Sequence, residues 1–161
     1  MVELGFLIVF AAGLLAIREY CHSLSSTARD YLEIHKLLCH VRTAVKVYAM
    51  PICKIAATVD LPTLECSGVI NVLKSSSTDV EWREKMKQCA FHIREDDKAI
   101  LFDFFDAFGK STADDELLRI EKACEHFDKR HLTEQEACKR NSKIARILFC
   151  AGAVGALIVI M

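Results

Sequence analysis

Lys110-Ser-Thr-Ala-Asp-Asp-Glu116 is followed by Leu117 to Ala151, 35 residues without a glycine or proline. Ser111 or Thr112 can cap the first free backbone amides, and the acids at 114–116 sit where a helix dipole favours negative charge. Leu117, Ile120, Cys124, Phe127 and His131 then recur at spacings of three and four, with charges on the other faces. The spacing predicts one long helix that leaves the domain and continues into the apolar C-terminal segment. A helix of that length needs a partner, and antiparallel packing against a second long helix is the expected architecture. The fold class that follows is all-α.

Working outward, Ile147 to Met161 runs fifteen residues without a charge, and Leu4 to Ile17 runs fourteen. All 21 Lys and Arg lie between Arg18 and Arg146. Each apolar run is short of the roughly 20 residues that a spanning helix needs. Val2 and Glu3 extend the first and Ile144 and Ala145 the second, Tyr20 is placed to sit at the interface, and the stems of Arg18 and Arg146 reach toward headgroups. A secretory signal is disfavoured by Glu3 and by the lack of a clear cleavage site. A buried hairpin in a soluble protein would be an unusual use of two such stretches. The expected organisation is an N-terminal transmembrane helix (1–20), a cytoplasmic helical domain (21–143) and a C-terminal transmembrane helix (144–161). Arg18, Arg29 and Lys36 follow the first segment, while Lys139, Arg140, Lys143 and Arg146 precede the second. Basic residues near spans stay cytoplasmic, so a cell-membrane protein with two spans and both termini outside is expected.

The domain balances 21 basic against 21 acidic residues once Glu3 is set aside, which argues against nucleic acid as a partner. Two prolines and six glycines leave little room for a turn-rich sheet. The eight cysteines (Cys21, Cys39, Cys53, Cys66, Cys89, Cys124, Cys138 and Cys150) are scattered, without a Cys-x-x-Cys pair. His35 with Cys39, and Cys124 with His131 and Cys138, fall on shared helix faces. Structural zinc sites show paired ligands at short spacing, so small buried hydrophobes are the expected role, and no metal is assigned.

Between Ser23 and Val59, Leu24, Ala28, Tyr31, Leu38, Val45 and Ile52 form an amphipathic stripe that also takes in His35 and Ala49, with Arg42 as its exception. His35 reads as a seam residue rather than a ligand. Pro51 predicts a break near Met50. A helix is expected from Pro62 to the Lys74-Ser-Ser-Ser77 run. Thr78-Asp-Val-Glu81 has capping-box spacing and predicts a helix through about Phe91. Asp97 to Phe108, with Phe102, Phe104, Phe105 and Phe108, predicts a well-buried helix stopped by Gly109. Arg83, Lys87 and Arg94 share one side and form a candidate basic patch.

Gly109-Lys-Ser-Thr112 resembles the tail of a phosphate-binding loop, but position 104 is Phe where that motif needs glycine, and no strand precedes it. No nucleophile elbow, dinucleotide fingerprint or metalloprotease motif is present. The pairs Asp96/Asp97 and Asp114/Asp115 lie at helix starts, where they are expected to serve the dipole. No catalytic, cofactor-binding or metal residue is assigned, and no cofactor or small-molecule substrate is expected.

The order of features carries a resemblance. An N-terminal span is followed by a helix with Tyr48-Ala-Met-Pro51-Ile52, then a Trp82 helix, the Phe108-Gly-Lys-Ser111 turn, a long Glu/Lys-rich helix, and Lys139-Arg-Asn-Ser-Lys143 leading into a glycine-containing terminal span. Over essentially its whole length the chain resembles the stage III sporulation protein AB family; abundant cysteine is a departure from what that family leads one to expect. The resemblance implies a helical bundle similar to the platform domains of type II secretion and type IV pilus machines. It also implies a non-enzymatic scaffold in a sporulation channel, with a stage III sporulation protein AA-like ATPase and other channel subunits as partners. The alternatives are a general secretion or pilus platform subunit and, from a different class, a membrane-tethered Cys/His metal or redox sensor.

Overall fold

A computed structural model describes residues 2–48, 51–75 and 81–160, with the backbone alone described at 2–10, 48, 81, 153–154 and 156–160. Among the described residues seven helices follow in chain order: α1 (Val2–Tyr48), α2 (Ile52–Thr58), α3 (Pro62–Cys66), α4 (Val69–Ser75), α5 (Glu81–Lys87), α6 (Glu95–Ala107) and α7 (Ala113–Ile160). Among the described residues there is no strand, as the all-α reading requires. At about 1.5 Å per residue, the 47 residues of α1 and the 48 of α7 each extend about 70 Å.

The chain divides into two compact units, 29–132 and a unit formed by 1–28 with 133–161. In the first, a single apolar core gathers Tyr31, Ile34, Leu37, Leu38 and Val41 of α1 with Ile120 and Phe127 of α7. Leu64, Ile70, Trp82, Met86 and the α6 phenylalanines complete it. The short helix α4 packs against α2, α3 and α5. The Trp82 indole meets Phe102 and Phe105 edge-on, with centroids 6.2 and 6.0 Å apart, a favoured aromatic geometry. Phe102, Phe104 and Phe105 are all buried, so α6 sinks more than one face into the core as its aromatic pattern predicts.

In the second unit, α1 and α7 approach closely at Gly13. A Cβ built there would lie 2.7 Å from the Phe149 ring, so the absent side chain is what lets the ring sit where it does. Among the described residues no helix is long and apolar enough to cross a membrane. The expected spans, 1–20 and 144–161, rest on apolar runs of which about half, 4–10, 153–154 and 156–161, lies outside the residues whose side chains are described.

Several boundaries differ from the sequence expectations. The helix expected from Pro62 and ended by the 74–77 run is two helices, because Gly68 takes φ +88 between α3 and α4, a conformation that glycine adopts without a Cβ clash; α4 ends at Ser75, within that run. The helix expected to reach Phe91 ends at Lys87, and its expected cap at 78–80 lies outside the described residues. The segment after it returns toward α1, and Phe91 and Ile93 are buried there without being helical. Pro51 is extended (φ −68, ψ 149) and precedes α2, consistent with the break read from that proline, while positions 49–50 lie outside the described residues. The expected stripe of α1 is buried at Ala28, Tyr31 and Leu38, and the face is wider on one side: Ile34, Leu37 and Val41 are buried with them, while Leu24, His35 and Val45 lie at its half-buried edge.

Candidate functional site

Asp30, Glu33, Asp97 and Glu116 are buried acids. A buried carboxylate is costly unless hydrogen-bonded, so the partners of each one show what it does. Two of the four come from one turn of α1, and that turn organises much of the domain. Asp30 accepts a 2.6 Å bond from the backbone N–H of His92, holding the extended 90–94 segment. Glu33 accepts from the Thr63 N–H (3.2 Å), the Thr63 hydroxyl (2.5 Å) and the Leu64 N–H (2.9 Å). It thereby caps α3 from another helix, where Leu61 offers no capping side chain.

Asp97, in the first turn of α6, is fully buried, and its carboxylate is the centre of a network. The Tyr31 hydroxyl donates to one oxygen at 2.5 Å, and His126 Nε2 of α7 meets the other at 2.7 Å. Arg130 Nε stands 3.3 Å away. The Tyr31 oxygen in turn accepts the Arg94 N–H at 3.1 Å, so one phenol joins α1 to the loop before α6. Burial acts to raise the Asp97 carboxyl; the Tyr31 and His126 hydrogen bonds and the charges of Arg130 and His126 outweigh it and hold the group below the usual carboxylate range. The sequence reading gave Asp97 the same dipole role as Asp96. That is corrected for Asp97, which joins three helices, while Asp96 is exposed.

His126 also reaches the surface, where α6 and α7 leave a groove of about 450 Å³. Its apolar floor is Phe104, Ala107 and Ala123, with Ile100 at the rim. Arg119, Lys122 and His126 line the α7 side, and Asp103 lines the α6 side. Arg119 is pinned by bonds to the Ala107 carbonyl (3.0 Å) and the Ser111 hydroxyl (2.8 Å), tying the α6 C-terminus to the start of α7. Glu116, one turn earlier, has no hydrogen-bond partner on either oxygen among the described residues; its nearest cation is Arg119 at 3.6 Å.

The other sequence candidates resolve as follows. Gly109 (φ +77) makes the turn, and Thr112 caps α7 in a reciprocal arrangement with Asp115. The phosphate-loop look-alike is therefore spent on a helix start. Arg83 pairs with Asp103 and Asp106, and Lys87 pairs with Glu84, so the candidate basic patch is largely neutralised. His35 and Cys39 do adjoin, Nε2 to Sγ at 3.5 Å, but His35 Nδ1 is engaged with the Cys124 carbonyl at 3.2 Å. Burial, with Cys39 beside it, pushes the Cys124 thiol up to about 12, which suppresses thiolate chemistry. Burial also raises the Cys89 thiol. Among the described residues no three His, Cys, Asp or Glu side chains are grouped to hold a metal ion.

What sequence reasoning missed is the Asp30-Tyr31-Leu32-Glu33 turn. The available signal was acids at positions 30 and 33 flanking the core tyrosine of an otherwise apolar face.

No curated protein and no solved structure matches the chain. A family model does, over residues 3–161: the chain belongs to the stage III sporulation protein AB family, a family of sporulation proteins.

Proposed function

We propose that this protein is a non-enzymatic membrane platform subunit of a sporulation channel. It couples a cytoplasmic ATPase of the stage III sporulation protein AA kind to other membrane components through protein contacts. Family membership over residues 3–161 carries the reading. Three features support it: a helical unit at 29–132 built on two long helices, close packing of α1 and α7 at Gly13 and Phe149, and basic residues confined between two uncharged terminal runs. The two spans, the cytoplasmic placement of 21–143 and the outward termini belong to the same proposal. A unit held by both of its long helices suits a part that stays fixed while partners push on it.

The test is isolation of the tagged full-length chain from membranes of sporulating cells, followed by identification of what accompanies it. Recovery of the ATPase and other channel subunits supports the proposal. Recovery of general secretion or pilus components instead, or a chain found wholly in the soluble fraction, overturns it.

A further inference from the structure

His35, Cys39 and Cys124 meet where α1 and α7 run side by side in the 29–132 unit. Three contacts fix the register there. The Tyr31 and Phe127 rings lie 6.2 Å apart, His35 Nδ1 stands 3.2 Å from the Cys124 carbonyl, and Arg42 pairs with Glu121 at 3.3 Å. Positions rising along α1 meet positions falling along α7, so the two helices are antiparallel. In that register the Cys124 thiol lies beside Cys39.

The imidazole sets this pair apart from two buried hydrophobes. A carbonyl only accepts, so the hydrogen bond to Cys124 places the proton of the neutral ring on Nδ1. Nε2 is left as an acceptor, and it stands 3.5 Å from Cys39 Sγ. The arrangement is that of an activated nucleophile: a thiol on a base, with the base oriented by a third group. The two thiols differ in access. Cys39 is half-buried and reaches solvent, whereas Cys124 is 6% exposed. Burial raises the Cys124 thiol, and Cys39 raises it further; the second contribution goes once Cys39 is no longer a thiol.

We infer that Cys39 is a modification site for low-molecular-weight disulfides, with His35 as its base and Cys124 as the thiol that resolves the adduct into a Cys39–Cys124 bond. Cys39 gives its proton to His35 Nε2 and attacks one sulfur of the small disulfide. A bond forms to Cys39 Sγ, the small disulfide's S–S bond breaks, and the departing thiolate takes the proton from His35. Cys124 then gives its proton to the same nitrogen and attacks Cys39 Sγ, and the second small thiol leaves with that proton. Two protein thiols are oxidised to one disulfide, and one small disulfide is reduced to two thiols. The product ties the two long helices together covalently, and a reducing thiol pool reverses it. Nothing in this chemistry depends on the platform role.

The test uses the full-length chain in detergent, reduced, freed of reductant and exposed to oxidised glutathione. Samples are quenched by alkylation over time, and the modified peptides are identified by mass. Cys39 should form the mixed disulfide roughly tenfold faster than Cys66, which is exposed at the end of α3, and should pass on to a linked Cys39–Cys124 peptide. Cys124→Ser should stop at the Cys39 adduct, and Cys39→Ser should leave Cys124 unmodified. His35→Gln should slow the reaction of Cys39 roughly tenfold and leave that of Cys66 unchanged. Cys39 reacting no faster than Cys66, an adduct that never passes to Cys124, or a rate insensitive to His35 overturns the inference. If a variant misfolds, the unaltered chain still decides, through the order in which Cys39 and Cys66 react and the cysteine to which Cys39 becomes linked.

Discussion

The Tyr31 hydroxyl and the Asp97 carboxylate meet at 2.5 Å across 66 residues of sequence, inside a core that excludes water. Tyr31→Phe removes the donor, leaves one carboxylate oxygen short of a partner and frees the Arg94 amide. A buried group so orphaned costs about 1–3 kcal/mol. In urea the midpoint should fall with the slope unchanged, since the same surface is exposed on unfolding.

The same carboxylate fixes an acid limit. Its folded-state pKa is depressed, so the unfolded chain takes up a proton first. The stability it contributes is complete above the ordinary value of 3.8 and is lost as pH falls through the lower folded value. Asp97→Asn should therefore lower stability at neutral pH and flatten the stability curve below about pH 4. A pH series of denaturation midpoints for both proteins checks this.

Glu33 caps α3 with three hydrogen bonds from a different helix. Glu33→Ala should cost more than the roughly 1 kcal/mol of an ordinary exposed cap, because the Leu64 amide is left buried without its acceptor. Hydrogen exchange should show amides 63 and 64 losing protection first.

Glu116 makes the opposite prediction. It bears the desolvation of a buried carboxylate with no hydrogen bond among the described residues in return, and Arg119 keeps its bonds to Ala107 and Ser111 without it. Glu116→Met should be neutral or stabilising, within about 1 kcal/mol after the small loss at the helix N-terminus. Thermal melting of the full chain in detergent decides the sign.

Gly13→Leu would drive a side chain into Phe149 and should lower the melting temperature of the full chain in detergent, with Phe149→Ala restoring part of the loss. Gly152→Ala, where nothing lies within 4 Å of the added Cβ, should not lower it.

These residues mark what was legible in the sequence. Helix α7 was readable because its evidence is local: a cap at Thr112, acids in the first turn, and no breaker for the next 35 residues. The split at Gly68 was not, since a lone glycine signals a break only when its φ is positive. Asp97 was misread because a helix-start acid looks the same whether it faces water or a tyrosine 66 positions away. The groove was legible only as pieces: its apolar floor read as core and its lysine as one charge among many. Its identity as a surface depends on how α6 and α7 pair, which no spacing within either helix encodes.

The central claim is that the protein acts by holding partners at a membrane, and binding of the ATPase tests it most directly. The full-length chain should be placed in lipid nanodiscs and titrated with the stage III sporulation protein AA-like ATPase from the same cells. The account predicts saturable binding, with no ATP turnover by the chain itself. Absence of binding, or turnover by the chain alone, would contradict it.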